Sequence, residues 1–254
     1  MRSIAFHVEK GGTGKTTLTG NIGHAIAQHG RTVMIDADPQ ANLSSWFATG
    51  GIRADLADVL QGKADIDGAI IDIGKNLSML GTIAIDGELG TWAETALPSK
   101  PFVFSDLIDR LETFGFDFAL FDLGPGISTL EKSILAAVDE VVPVAAAEAF
   151  SFDGIEIFEN ELEKLRSDRR ASFVSNKMVV NRLNRAFSGH VVIHDRMNRL
   201  DYQLYTLSQS TALSDCVLYH QSVFEYDPDN RNLPELVRLA LDLAVGGENG
   251  STEA

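Results

Sequence analysis

Residues 10 to 17 read Lys-Gly-Gly-Thr-Gly-Lys-Thr-Thr and follow the apolar run Ile4-Ala5-Phe6. Glycines spaced this way let successive backbone N–H groups converge on phosphate oxygens where a helix begins. In such a loop Lys15 places its charge on the β- and γ-phosphates and the Thr16 hydroxyl serves Mg²⁺. Gly11, Gly12, Thr13, Gly14, Lys15, Thr16 and Thr17 therefore form the expected nucleotide cradle. Lys10 stands before the first glycine, outside that cradle. With no evident task on its own nucleotide, it is expected to reach a phosphate held by another subunit, as an arginine finger supplied in trans does.

A phosphate loop needs acidic partners at strand ends, because Mg²⁺ is held through its waters and the attacking water must be oriented. Two candidate sites exist. In Val33-Met34-Ile35-Asp36-Ala37-Asp38-Pro39-Gln40 an apolar run ends on two carboxylates one residue apart, which strand alternation puts on the same side of the chain. In Ala119-Leu120-Phe121-Asp122-Leu123-Gly124-Pro125-Gly126 a second run ends on an aspartate and a Gly-Pro-Gly turn. Asp36 and Asp122 are the expected Mg²⁺ partners with Thr16, and Gly124 is placed to offer its N–H to the γ-phosphate.

These residues need a scaffold, and the hydrophobic pattern supplies one. Short apolar runs at 4–8, 32–35, 118–121, 140–144 and 178–180 read as buried parallel strands, with a sixth at 77–85. Helical spacing at 16–29, 102–113, 129–138, 152–166 and 233–245 alternates with them, and Gly30 is placed to cap the first helix. The pattern predicts an α/β fold, one doubly wound, mostly parallel sheet with helices on both faces. Residues 1–245 form one domain by this reading, with no internal linker. The tail 246–254 has no apolar residue able to pack and is expected to be disordered. Met1-Arg2-Ser3 runs straight into the first strand, no apolar stretch approaches the ~20 residues of a membrane span, and a cytosolic protein is expected. The single Cys216 excludes an internal disulfide and reads as a small buried hydrophobe.

Lys10 to Thr17, Asp36-Ala-Asp38-Pro39-Gln40-Ala-Asn42 and Phe121-Asp122-Leu-Gly-Pro125 resemble the deviant Walker A, switch I and Walker B elements of the ParA/Soj partition ATPases. Asp139 to Val144 with Glu148 to Gly154, and Val223 to Pro228, resemble two further family segments, so the resemblance spans the chain. It implies ATP/ADP and Mg²⁺ as ligands, weak intrinsic hydrolysis, and an ATP-bound sandwich homodimer in which Lys10 crosses to the partner's phosphates. It also implies that Asp38 orders the hydrolytic water, that Asn181 contacts the base, and that a ParB-like partner stimulates turnover.

The chain departs from the family at several points. Ser208-Gln209-Ser210 stand where relatives place Pro-Arg-Asn in the loop that holds adenine, Ala212 stands where another arginine is frequent, and Val8-Glu9 replaces Asn-Gln. A net charge of -15 and a pI near 4.7 oppose a protein coated in nucleic-acid-binding surface. Yet residues 164–199 hold nine basic side chains against two acidic ones. In a ParA-like chain that segment is expected to bind DNA phosphates without sequence preference, through Arg182, Arg185, Arg196 and Arg199, giving nucleoid association in the ATP state. The competing readings are a metabolic enzyme on the same scaffold, such as an ATP-dependent amidating component, and a MinD-like or other ParA-like ATPase that positions a protein or membrane-associated cargo. The C-terminal Glu248-Asn-Gly-Ser-Thr-Glu253-Ala lacks the basic amphipathic helix that a membrane function would require.

Overall fold

A computed structural model of the chain describes residues 1–8, 10–148, 151–169 and 171–246. Glu9, Ala149, Phe150, Arg170 and the tail beyond Gly246, on which expectations were placed above, lie outside them.

Among the described residues, eight strands form one sheet: β1 (Arg2–His7), β2 (Thr32–Ala37), β3 (Ile70–Gly74), β4 (Leu77–Leu80), β5 (Phe118–Leu123), β6 (Glu140–Ala146), β7 (Lys177–Leu183) and β8 (Gln203–Ser208). Their order is β3-β4-β2-β5-β1-β6-β7-β8, parallel throughout except for the β3–β4 hairpin at one edge. The six expected strands are present. Alternation within β1 shows why both faces are covered. Ala5 packs with Phe104, Leu107 and Ile134 on one side, while Ile4 and Phe6 pack with Leu18, Ile22, Leu236 and Leu239 on the other.

Three local expectations change. The strand expected at 77–85 stops at Leu80, and Gly81 after it is packed so closely that a Cβ would come within 2.6 Å of the Ile52 side chain and 3.0 Å of the Ser44 hydroxyl. The first helix, Lys15–Ile26, ends on Ala27 rather than Gly30. Gly30 is required instead for close packing, since a Cβ there would lie 2.7 Å from the Asp117 carboxylate. The edge strands β3 and β8 were not expected. β8 alternates buried and part-exposed residues, unlike the unbroken apolar runs that marked its neighbours.

At the strand ends opposite the phosphate loop, Glu140 of β6 is fully buried and accepts hydrogen bonds from Arg2 of β1 and, at 2.8 Å, from Lys177 of β7. Lys177 is equally buried. One buried carboxylate thus joins three adjacent strands. Cys216 is fully buried, and burial pushes its thiol up to about 11, in line with a packing role.

Candidate nucleotide-binding site

All parallel strands point their carboxyl ends toward one edge, where ligands bind in doubly wound sheets. β1 delivers the phosphate loop there. Gly12 and Gly14 have positive φ of 75° and 98°, which only glycine adopts without strain, and the helix Lys15–Ile26 follows directly. Lys15 is buried, its Nζ 3.4 Å from the carbonyls of Val8 and Lys10. Burial lowers its pKa, against the raising fields of Asp122, Asp38 and Glu131.

β2 and β5 bring the acids in. Asp36 and Asp122 are register partners on adjacent parallel strands. Burial raises Asp36 to about 6, although its carboxylate accepts bonds at 2.7 Å from both the N–H and the hydroxyl of Ser44. Asp122 is raised well above the usual carboxylate range, by burial first and then by the charge of Asp36; the Thr16 hydroxyl works the other way. Its Oδ1 accepts at 3.4 Å from Thr19, and its Oδ2 has no hydrogen-bond partner among the described residues. Of the two carboxylates expected on one side of the chain, Asp38 lines the cavity, while Asp36 is engaged by Ser44 at the start of the helix Asn42–Phe47. Asp38 also lies against Gly124, where a Cβ would sit 3.3 Å from its Oδ1.

A cavity of about 510 Å³ is lined by Gly11, Gly12, Gly14, Lys15, Thr16, Asp38 and Arg182, among others. A second, of about 260 Å³, adjoins it and is lined by Gly14, Thr17, Asn181, Arg182, Gln209 and Asp215, among others. The first suits phosphates. The second, beside the loop that carries Ser208-Gln209-Ser210, suits a base. The buried, unpaired Oδ2 of Asp122 beneath Thr16 fits Mg²⁺ held through water. Among the described residues no group of three His, Cys, Asp or Glu side chains is placed to hold a metal ion directly.

Asn181 has a structural task as well. Its Nδ2 donates to the Thr13 carbonyl at 2.8 Å, clamping the phosphate loop. Lys10 is exposed and pairs with Glu148 at 3.1 Å, a surface contact worth at most about 1 kcal/mol and readily exchanged for a phosphate.

Several site residues escaped the sequence reading. Ser44 and Thr82 hold Asp36, Thr82 through its hydroxyl on the Asp36 carbonyl, and Thr19 touches Asp122. Glu131, which caps the helix Thr129–Leu135, packs beside Gly124; its Ser128-x-x-Glu131 capping box was a readable signal. His7 was also passed over. It is fully buried on β1, edge-on to Phe158, and neither ring nitrogen has a hydrogen-bond partner among the described residues.

Burial, with the Lys15 charge added, lowers the His7 pKa to about 3. A histidine whose folded pKa lies below its unfolded 6.5 leaves stability intact above pH 6.5 and removes it as pH falls toward the folded value. By pH 5 the loss should reach about 2 kcal/mol. Asp36 and Asp122 shift in the opposite sense, so the effect is read as a difference. Urea unfolding at pH 7 and pH 5 should show that His7→Ala loses less stability than wild type by that amount, and equal losses would refute the assignment.

The basic segment does not form one patch. Lys177 is consumed by Glu140, Lys164 pairs with Glu161, and Arg166 lies over Phe173. Arg182 and Arg185 are exposed at the nucleotide end of β7, where Arg185 shares a cleft of about 580 Å³ with Arg231. The helix Ser188–Met197 then returns along the sheet, leaving Arg196 and Arg199 exposed toward the opposite end. No helix among the described residues is long and apolar enough to cross a membrane.

Comparison with known proteins agrees with this geometry. Residues 1–175 match the family described as an AAA domain. Protein BBD21 of Borreliella burgdorferi is 35% identical over 241 residues, covering 94% of this chain and 98% of that protein. The chromosome partitioning protein ParA of Caulobacter vibrioides is 31% identical over 172 residues, 65% of this chain and 64% of ParA. Among solved structures, apo McdA from Cyanothece superposes with a TM-score of 0.83 at 17% identity, covering 97% of this chain and all of that one. The septum site-determining protein MinD of Pyrococcus horikoshii, solved with Mg-ADP, superposes at 0.79 with 22% identity and 95% of both chains covered.

Proposed function

The chain belongs to the ParA/MinD superfamily of P-loop ATPases, and we propose that it is a partition ATPase that binds ATP with Mg²⁺, closes into a homodimer and separates on hydrolysis. Residues 1–245 act as one ATPase unit. Lys15 and the Gly11–Thr17 loop hold the phosphates, and Gly124 donates its N–H beside them. Bound Mg²⁺, served by Thr16 with Asp122 and the more remote Asp36 acting through water, would neutralise phosphate charge. Asp38 orients the attacking water, and Lys10 leaves Glu148 for the partner's phosphates. The observation that carries this reading is the convergence of Lys15, Thr16 and Asp38 on one cavity, with Gly124 against Asp38 and Lys10 next in sequence to the loop, exposed and in a surface pair.

The cargo we propose is DNA, as the name of the Caulobacter relative suggests, bound without sequence preference in the ATP state by a nucleoid-associated dimer. A ParB-like centromere-binding or adaptor protein stimulates turnover. Dimerisation would double every cationic site, so weak contacts become tight ones. The division of the arginines between two ends of the sheet favours a second reading, in which a related ATPase positions a protein assembly. Membrane cargo would rest on the helix Leu233–Val245, which packs Leu236, Leu239 and Leu243 into the core and exposes Val237, Leu241 and Val245 with no basic residue in its last turn.

A gel shift with random-sequence duplex at low salt separates the two. ATP, and not ADP, should switch binding on, and the log–log salt slope should shrink by about one for each of Arg185, Arg196 or Arg199 that contacts phosphate and is replaced by alanine. No ATP-dependent shift by the wild type would move the function to protein cargo.

A further inference from the structure

Arg182 does not fit comfortably among surface arginines. Its φ is +58°, a left-handed conformation that L side chains rarely adopt. The β7–β8 register shifts between Val180 and Leu183, so Asn181 and Arg182 stand out of that ladder, with Asn181 still paired to Ala146 of β6. The strained turn is actively held: the Arg182 N–H donates to Asn181 Oδ1 at 2.8 Å, while the same amide reaches the Thr13 carbonyl from its other end. Asn181 also lies where a Cβ on Gly14 would collide with it, at 2.3 Å, so the strained turn and the phosphate loop are packed as one unit. Backbone strain that the surroundings hold in place collects at functional sites, and here it lifts one exposed guanidinium to the cavity mouth.

Its position is specific. Gly14, Thr17 and Arg182 line both the phosphate cavity and the adjoining cleft, so they mark the ridge between the two. A nucleotide with its phosphates on Lys15 and its base beside Gln209 must cross that ridge at the ribose and α-phosphate. We propose that Arg182 is a nucleotide-binding residue acting on its own subunit, its guanidinium taking the α-phosphate and ribose edge of ATP and ADP alike. This moves Arg182 out of the DNA-contacting set and rests on the nucleotide-binding reading above.

ADP titration calorimetry, combined with melting of the nucleotide-free protein, tests it without requiring dimerisation or hydrolysis. Replacement of a charge-assisted contact should weaken ADP binding by about 10- to 100-fold in both Arg182→Gly and Arg182→Ala. Arg182→Lys should recover part of the loss. Arg182→Gly should melt at or above the wild-type temperature because glycine relieves the positive φ, a result that a merely structural arginine would not give. Arg182→Gly binding ADP as wild type does would overturn the proposal, and a reduced DNA salt slope in that variant would return the residue to DNA. A lowered melting temperature that accounts for the affinity loss would overturn it as well. Failure of wild-type protein to bind ADP would instead defeat the nucleotide-binding reading itself.

Discussion

Lys15→Ala is expected to lose nucleotide binding by more than about 100-fold, because it removes the charge that neutralises the phosphates from a site where water cannot substitute for it. The buried Nζ is the cation facing Asp122, Asp38 and Glu131, so its removal also leaves those acids to repel the incoming phosphates. Asp38→Ala should behave differently. It keeps the cradle and Lys15, so ATP should bind as in wild type while turnover falls about 100-fold or more, since only the water loses its orienting group. Fluorescent-nucleotide titration alongside a phosphate-release assay distinguishes the two. Equal loss of binding in both variants would contradict the separate roles given to Lys15 and Asp38.

The second large effect concerns folding. Glu140→Ala should destabilise the protein by about 4 kcal/mol, because it leaves Lys177 buried without its counter-ion. That is a large share of the roughly 5–15 kcal/mol that holds a domain folded. The double variant Glu140→Leu with Lys177→Met should recover part of the loss, since the fully buried pair is replaced by apolar groups while the half-buried Arg2 stays without its carboxylate. Urea unfolding measures both, and a double variant no more stable than Glu140→Ala would assign the loss to packing.

What the sequence disclosed, and what it hid, divides along a physical line. The phosphate loop, Asp38 and Asp122 were legible because strand end, turn and helix start are contiguous in the chain, so their spacing already encodes the geometry. Ser44, Thr82 and Thr19 were not, because each meets an aspartate across elements that come together only in the fold. β8 was missed for a different reason. As an edge strand it carries alternating polar residues and lacks the continuous apolar run of the central strands. The basic segment is one run of charge along the chain but is divided in the fold. Lys177 and Arg199 are near in sequence, yet one neutralises a buried glutamate and the other lies on the surface.

Lys10 carries the central claim, that the site is completed by a second copy of the chain. Its pairing with Glu148 leaves it free to move, and nothing in its own cradle requires it. Light scattering after size exclusion, in ATP and in ADP and with Asp38→Ala included to hold ATP unhydrolysed, measures the claim directly. Wild type and Asp38→Ala should double in mass in ATP and not in ADP, while Lys10→Ala should bind ATP and remain a monomer. A Lys10→Ala protein that dimerises on ATP as wild type does would contradict the account.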